Sequence, residues 1–168
     1  MNDPRMVMLN DMCILGIDPG TTGALAFYYM NAPGRVAVED IPLAGGEIAP
    51  ALLANRIKTH GPSLAMVERV GAMTGWGVSS TFKFGSSVGV IKGVLGALNV
   101  PVYYISPAKW KRYFTLTKDK EFSRAKAISL FPKCADSFGR KADHNRAEAA
   151  LIAKYAAETM FPWSVTAP

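Results

Sequence analysis

Cys13-Ile14-Leu15-Gly16-Ile17-Asp18-Pro19-Gly20-Thr21-Thr22-Gly23 is the stretch on which the reading of this chain turns. A short apolar run ends on an acid, and Pro-Gly follows at once. That pattern predicts a buried strand stopped by a tight turn, with Asp18 at its C-terminal end. Downstream, residues 22–30 and 35–41 read as two further strands, with the turn signal Asn31-Ala32-Pro33-Gly34 between them. The three predict a meander of antiparallel neighbours. Residues 48–60 place Ile48, Leu52, Leu53 and Ile57 at helical spacing, and Gly61-Pro62 ends that helix. Residues 64–67 form another apolar run, with Glu68 directly after it.

Residues 71–77 are glycine-rich and read as a loop; residues 79–98 read as a long helix. That helix carries Gly85, Gly89 and Gly93 at every fourth position, with Gly96 close by. Each glycine costs a helix about 1 kcal/mol relative to alanine. Such a face predicts a close approach, either by the chain's own sheet or by a partner subunit. Residues 100–105 read as a fifth strand, and Ser106-Pro107 opens a short helix. Residues 122–131 and 146–160 are two more helices. The order predicts an α/β domain with a mixed five-stranded sheet flanked by helices. Three strands are antiparallel, and the later two lie parallel to the first. One domain over 1–168 is expected, with 1–12 as an N-terminal extension and 161–168 as a tail.

The chain has 168 residues, 49% hydrophobic and 19% charged, which is the composition of a folded domain. Lys and Arg number 19 against 13 Asp and Glu, a net charge of +6. Residues 109–146 hold 11 of those cations against 4 acids, so the rest of the chain, with 8 against 9, is nearly neutral. A basic cluster suits a polyanion, most simply nucleic acid; a solvated face without a partner is the plainer reading. Cys13 and Cys134 match no zinc spacing and make no disulfide scaffold, so a reducing cytoplasm is expected. Residues 1–11 lack the apolar core of a secretory leader. No run reaches the roughly 18 apolar residues of a membrane span, so no membrane partner is expected.

Asp18 and Glu68 each stand at the C-terminal end of a strand, and in an α/β sheet parallel strands present such ends at one edge, where sites form. Asp143 and Glu148 stand at the start of the last helix. Together the four could bind Mg²⁺ through hard oxygen ligands, and two such ions can drive phosphodiester hydrolysis. Each acid also has an ordinary role open to it. Asp18 suits an Asx-turn, Glu68 could pair with Arg69, Asp143 could cap the helix, and Glu148 could lie on the surface.

These residues resemble the RuvC-type Holliday junction resolvases, nucleases of the RNase H-like superfamily from bacteria, phages and organelles. The resemblance runs from about Ile14 to Tyr155. It rests on residues 14–23, then Val67-Glu68-Arg69-Val70, then residues 143–153 beginning Asp143-His144-Asn145-Arg146-Ala147-Glu148. It implies an RNase H-like fold and a homodimer that resolves four-way DNA junctions by paired symmetric nicks. It also implies Mg²⁺, with Mn²⁺ as a substitute, in the cytoplasm of a bacterial or phage-infected cell or in an organelle. Asp18, Glu68, Asp143 and Glu148 would be the metal ligands. A branch-migration partner is left unidentified.

In the bacterial pattern the last two acids lie three residues apart. Here Asn145 holds the position three before Glu148, and Asp143 lies five before it. Five residues turn a helix through about 500°, so Asp143 would have to reach in from the preceding loop. His144, four before Glu148, could share its face as ligand or base. Lys111 and Lys120 are expected near the scissile phosphate. Trp76, Lys83, Lys109, Arg112, Lys118 and Arg124 are expected to contact DNA. The family's junction-stacking aromatic is replaced by Gly71, with Met73 and Trp76 further on. Trp76 could stack on unpaired bases or simply cover a core edge.

Three other readings compete. A phosphate turn like Asp18-Pro19-Gly20-Thr21 also opens the actin and sugar-kinase class, but that class needs a second domain for which 168 residues leave no room. Another RNase H-like nuclease could use the same acids on RNA-containing or branched substrates. A catalytically inactive junction-binding module could keep the fold alone.

Overall fold

The computed structural model describes residues 11–71 and 75–162. Met73 and most of the expected extension and tail lie outside them. The main sheet has five strands: β1 (Cys13–Asp18), β2 (Ala24–Tyr29), β3 (Ala37–Asp40), β6 (Leu64–Glu68) and β7 (Val102–Ile105), in the order β3-β2-β1-β6-β7. β1 pairs antiparallel with β2 and parallel with β6, β2 pairs antiparallel with β3, and β6 pairs parallel with β7. This is the mixed sheet expected from the sequence. A small hairpin of β4 (Leu43–Ala44) and β5 (Glu47–Ile48) was not expected. Its tip is Gly45-Gly46, both at positive φ, the pairing that two-residue hairpin turns favour.

Among the described residues five α-helices cover the sheet: α1 (Pro50–His60), α2 (Val78–Ala97), α3 (Pro107–Tyr113), α4 (Lys120–Leu130) and α5 (His144–Met160). Short 3-10 turns at Pro132–Phe138 and Lys141–Asp143 link the last two. Gly61, left-handed, stops α1 with its N–H on the Ile57 carbonyl. Asp119 caps α4 by accepting from the Glu121 N–H at 2.9 Å. Among the described residues no helix is long and apolar enough to cross a membrane.

Alternation along β1 feeds two cores. Ile14 joins Met66, Trp110, Phe131 and the α5 alanines on one side of the sheet. Cys13, Leu15 and Ile17 join Leu53, Ile57, Ile91 and Leu95 from α1 and α2 on the other. The alanine run of α5 has a geometric cause. A Cβ on Gly16 would lie 2.2 Å from the Ala149 carbonyl oxygen and 2.6 Å from the Ala153 nitrogen. Helix and strand therefore touch nearly backbone to backbone, and only small residues fit between them. This contact fixes where the start of α5, and with it Glu148, stands relative to the end of β1.

The glycines of α2 behave otherwise. Nothing lies within 4 Å of a Cβ at Gly85, Gly89, Gly93 or Gly96. Their face is not the one that packs on the chain's own sheet, which uses Ser87, Ile91, Val94 and Leu95.

Candidate active site

The turn after β1 is tight. Gly23 donates its N–H to the Gly20 carbonyl at 3.1 Å, and a Cβ on Gly23 would lie 2.1 Å from the Asp18 carbonyl oxygen. This holds Asp18 at the lip of the sheet. Glu68 ends β6 on the neighbouring strand, and Glu148 stands in the second turn of α5. All three carboxylates line one cleft of about 960 Å³, yet they are only 9%, 8% and 6% exposed. Lys111 from α3, Lys120 from α4 and Asn145 from α5 line it too. The hairpin tip Gly45-Gly46 forms part of the wall, and Trp76, Phe82, Lys83 and Phe84 part of the rim.

Each acid has its own surroundings. Trp110, fully buried, donates its indole N–H to Glu68 Oε1 at 2.8 Å. The Lys111 ammonium meets Glu148 Oε1 at 2.9 Å, and the Ser123 hydroxyl donates to the same oxygen at 3.4 Å. Burial pushes the Asp18 carboxyl well above the usual range; the charges of Glu68 and Glu148 add to the rise, and Lys120 and Lys111 oppose it. Burial raises Glu68 as well, opposed first by the Trp110 hydrogen bond. The cleft thus concentrates negative charge around Asp18 that Lys111 and Lys120 only partly offset. Among the described residues no three His, Cys, Asp or Glu side chains close into a ligand cage. Glu148 is held by Lys111 and Glu68 by Trp110.

Two of the expected catalytic residues, Asp143 and His144, do not line the cleft. Asp143 is buried, but its carboxylate is turned back onto Arg140, which holds it through Nε at 3.1 Å and Nη2 at 2.7 Å. Arg146 stands 3.7 Å away and also grips Asp40 with two bonds of 2.7 Å. These cations hold the Asp143 carboxyl below its usual range. The ring of His144 contacts the Lys141 carbonyl at 3.1 Å instead. Asn145 takes the place one helical turn before Glu148, as i and i+3 spacing requires. Its Nδ2 donates to the Thr22 carbonyl, which leaves its Oδ1 as an acceptor.

Arg124 is engaged within the fold. Its guanidinium donates to the Phe138 and Gly139 carbonyls and pairs with Glu121, so it ties α4 to the following turn. Lys109, Arg112 and Lys118 are exposed. Lys83 and Trp76 are at the cleft, the latter edge-on to Phe84 at 5.5 Å. Sequence reading missed Phe82, a phenyl ring 76% exposed on the first turns of α2. It missed the Gly45-Gly46 tip as well, although the Gly-Gly pair was itself a turn signal.

No family model matches the chain, and no curated protein matches it in sequence. Solved structures do. The chain superposes on Thermus thermophilus RuvC in complex with a Holliday junction substrate with a TM-score of 0.71, covering 91% of this chain and 97% of that one. The chain has the RuvC fold. Identity to that protein is 19%. The same fold recurs in the fowlpox virus resolvase bound to Holliday junction DNA, at 16% identity and a TM-score of 0.55, covering 89% of this chain and 99% of that one. It recurs in the yeast mitochondrial Holliday junction resolvase, at 15% identity and a TM-score of 0.55, covering 95% and 90%. The RuvC fold explains why acids distant in sequence share one cleft: two parallel strand ends and one helix start meet at a single edge of the sheet.

Proposed function

We propose that this chain is a single-domain, metal-dependent nuclease that resolves four-way DNA junctions, nicking opposed strands symmetrically as a homodimer. The observation that carries the reading is the cleft, in which three buried carboxylates and two lysines meet on a fold shared with junction resolvases. Its donor set suits Mg²⁺ or Mn²⁺: the oxygens are hard, and their charge is crowded and incompletely offset. Asp18, Glu68 and Glu148 are the ligands we assign, with the Asn145 amide oxygen as a neutral fourth. A pair of bound ions would supply a more acidic water and a counter-charge for the leaving oxygen.

The chain's own residues do the rest. Trp110 orients Glu68, and Asn145 is itself oriented by the Thr22 carbonyl. Lys111 and Lys120 offer ammonium groups to the oxygens of a phosphodiester, where negative charge grows as the bond breaks. Lys83, Lys109, Arg112 and Lys118 would fix the arms through backbone phosphates. Trp76 and Phe82, exposed at the cleft rim, would stack on bases unpaired at the branch point.

The test uses purified protein, Mg²⁺ or Mn²⁺, a labelled four-way junction and a matched linear duplex, resolved on a denaturing gel. Paired nicks near the junction centre and none in the duplex are expected. Asp18→Asn should abolish nicking and keep junction binding. Junction binding without nicks would instead indicate the inactive binding module. Cleavage confined to RNA-containing strands would indicate a different RNase H-like nuclease.

A further inference from the structure

A second pocket lies against Glu68, outside the cleft. Its volume is about 260 Å³, and Glu68, Arg69, Val70, Val88, Lys92 and Tyr104 line it. Glu68 and Val70 line the cleft as well, so the two spaces adjoin across these two residues. Three elements build the pocket. Arg69 follows the last residue of β6, Tyr104 lies on β7 opposite Val67, and Lys92 comes from α2. The pocket falls below the roughly 300–1,000 Å³ of small-molecule sites.

The charges there are unusual. The Arg69 guanidinium carbon and the Lys92 ammonium each stand 5.3 Å from the centroid of the Tyr104 ring. Two cations gathered on one ring repel each other. Among the described residues neither has an ion-pair partner within 4.0 Å. The neighbouring Glu68 carboxylate takes its hydrogen bond from Trp110. Arg69 and Lys92 are exposed, so both heads are accessible. The pair also lies outside the basic segment 109–146, where sequence reading placed every expected DNA-contacting cation but Lys83.

We propose that Arg69 and Lys92, gathered by Tyr104, form a phosphate subsite for the DNA strand that runs through the cleft. It would hold a backbone phosphodiester flanking the scissile one. An arginine offers two parallel N–H donors to such a group and a lysine adds a point charge, so one phosphate bridging both relieves their repulsion. This inference rests on the nuclease reading above.

The test measures binding, with EDTA present so that no strand is cut. Junction affinity is followed against salt concentration for the wild type, for the double variant Arg69→Gln with Lys92→Gln, and for Lys58→Gln. Lys58 is exposed in the last turn of α1, which leads into the start of β6, at the end of the sheet away from the acids. The double variant should lower the slope of log affinity against log salt by about 0.9 for each phosphate that the two cations no longer neutralise. Lys58→Gln should leave the slope unchanged. Junctions with single neutral methylphosphonates then locate the subsite. The wild type should bind more weakly when one phosphate flanking the cut is neutral. The double variant should bind no more weakly for that replacement while staying sensitive elsewhere. An unchanged slope, or a methylphosphonate profile identical to the wild type's, overturns the subsite and leaves an ordinary surface stack. If the wild type binds the junction and only the double variant's behaviour fails, the subsite alone falls. If the wild type binds no DNA, the nuclease reading falls with it.

Discussion

Asp18 carries the least comfortable charge in the cleft. Burial and two neighbouring carboxylates raise its pKa, so its ionisation works against folding. For an acid raised in this way, the cost is absent below the unfolded value. It grows as pH climbs from there towards the folded value. Asp18→Asn removes the charge without changing the shape. In metal-free protein at neutral pH the variant should melt above the wild type, by about 2–4 °C for each 1 kcal/mol relieved at this chain length. The gap should close as the pH falls to about 4, where the wild-type carboxyl is protonated as well. Added Mg²⁺ should raise the melting temperature of the wild type and leave the variant's where it was. A variant less stable than the wild type under metal-free conditions would show that Asp18 is structurally satisfied and not held for a cation. Asn145 gives the converse experiment. Asn145→Asp would add a fourth carboxylate one turn before Glu148. It should lower metal-free stability and tighten Mn²⁺ binding in calorimetry. Unchanged Mn²⁺ affinity would remove Asn145 from the ligand set.

The start of α5 shows where sequence reading succeeds and where it stops. Strands and helices were legible because apolar periodicity and Pro and Gly stops mark them, and Gly61 ends its helix in the structure as the sequence predicts. Asp18 and Glu68 were legible as partners because parallel strands present their C-terminal ends at one edge of the sheet, and the structure adds that the two strands are neighbours. The β4–β5 hairpin was not, since strands of two residues leave no period to read. Nor was the orientation of Asp143. Spacing placed it near Glu148, but Arg140 and Arg146 decide which way its side chain turns, and no periodicity encodes that choice. Its depressed pKa means that it adds stability above the ordinary aspartate value, and that this is lost as pH falls through the lowered one. Asp143→Asn should therefore cost about 1–3 kcal/mol at pH 7, the range for disrupting a buried hydrogen-bonded group. In denaturant melts at successive pH values the two proteins should converge under acid conditions. Nicking per folded molecule, assayed well below the melting temperature, should stay within a few-fold. Loss of Mn²⁺ binding by a folded Asp143→Asn protein would return Asp143 to the metal site.

Cutting two opposed strands requires two clefts, and the exposed face of α2 is where a second copy would fit. Gly85, Gly89, Gly93 and Gly96 have open space around them, and Val78 on the same helix is exposed. A helix that carries exposed glycines, each costing about 1 kcal/mol, gains nothing from them within its own fold. The cost is offset if a partner helix approaches along the bare backbone. Sedimentation at micromolar concentration should therefore give twice 18.1 kDa. Gly89→Glu combined with Gly93→Glu should give monomers through bulk and like charge at the seam. Glutamate is the better helix former, so the helix itself should hold at least as well as before, and a loss of the dimer could not be blamed on its melting. On a four-way junction the monomeric variant should nick single strands without pairing the cuts, because its cleft is untouched while its neighbour is gone. A double variant that stays dimeric would place the second cleft on some other face, and a wild type that sediments as a monomer would overturn the dimer.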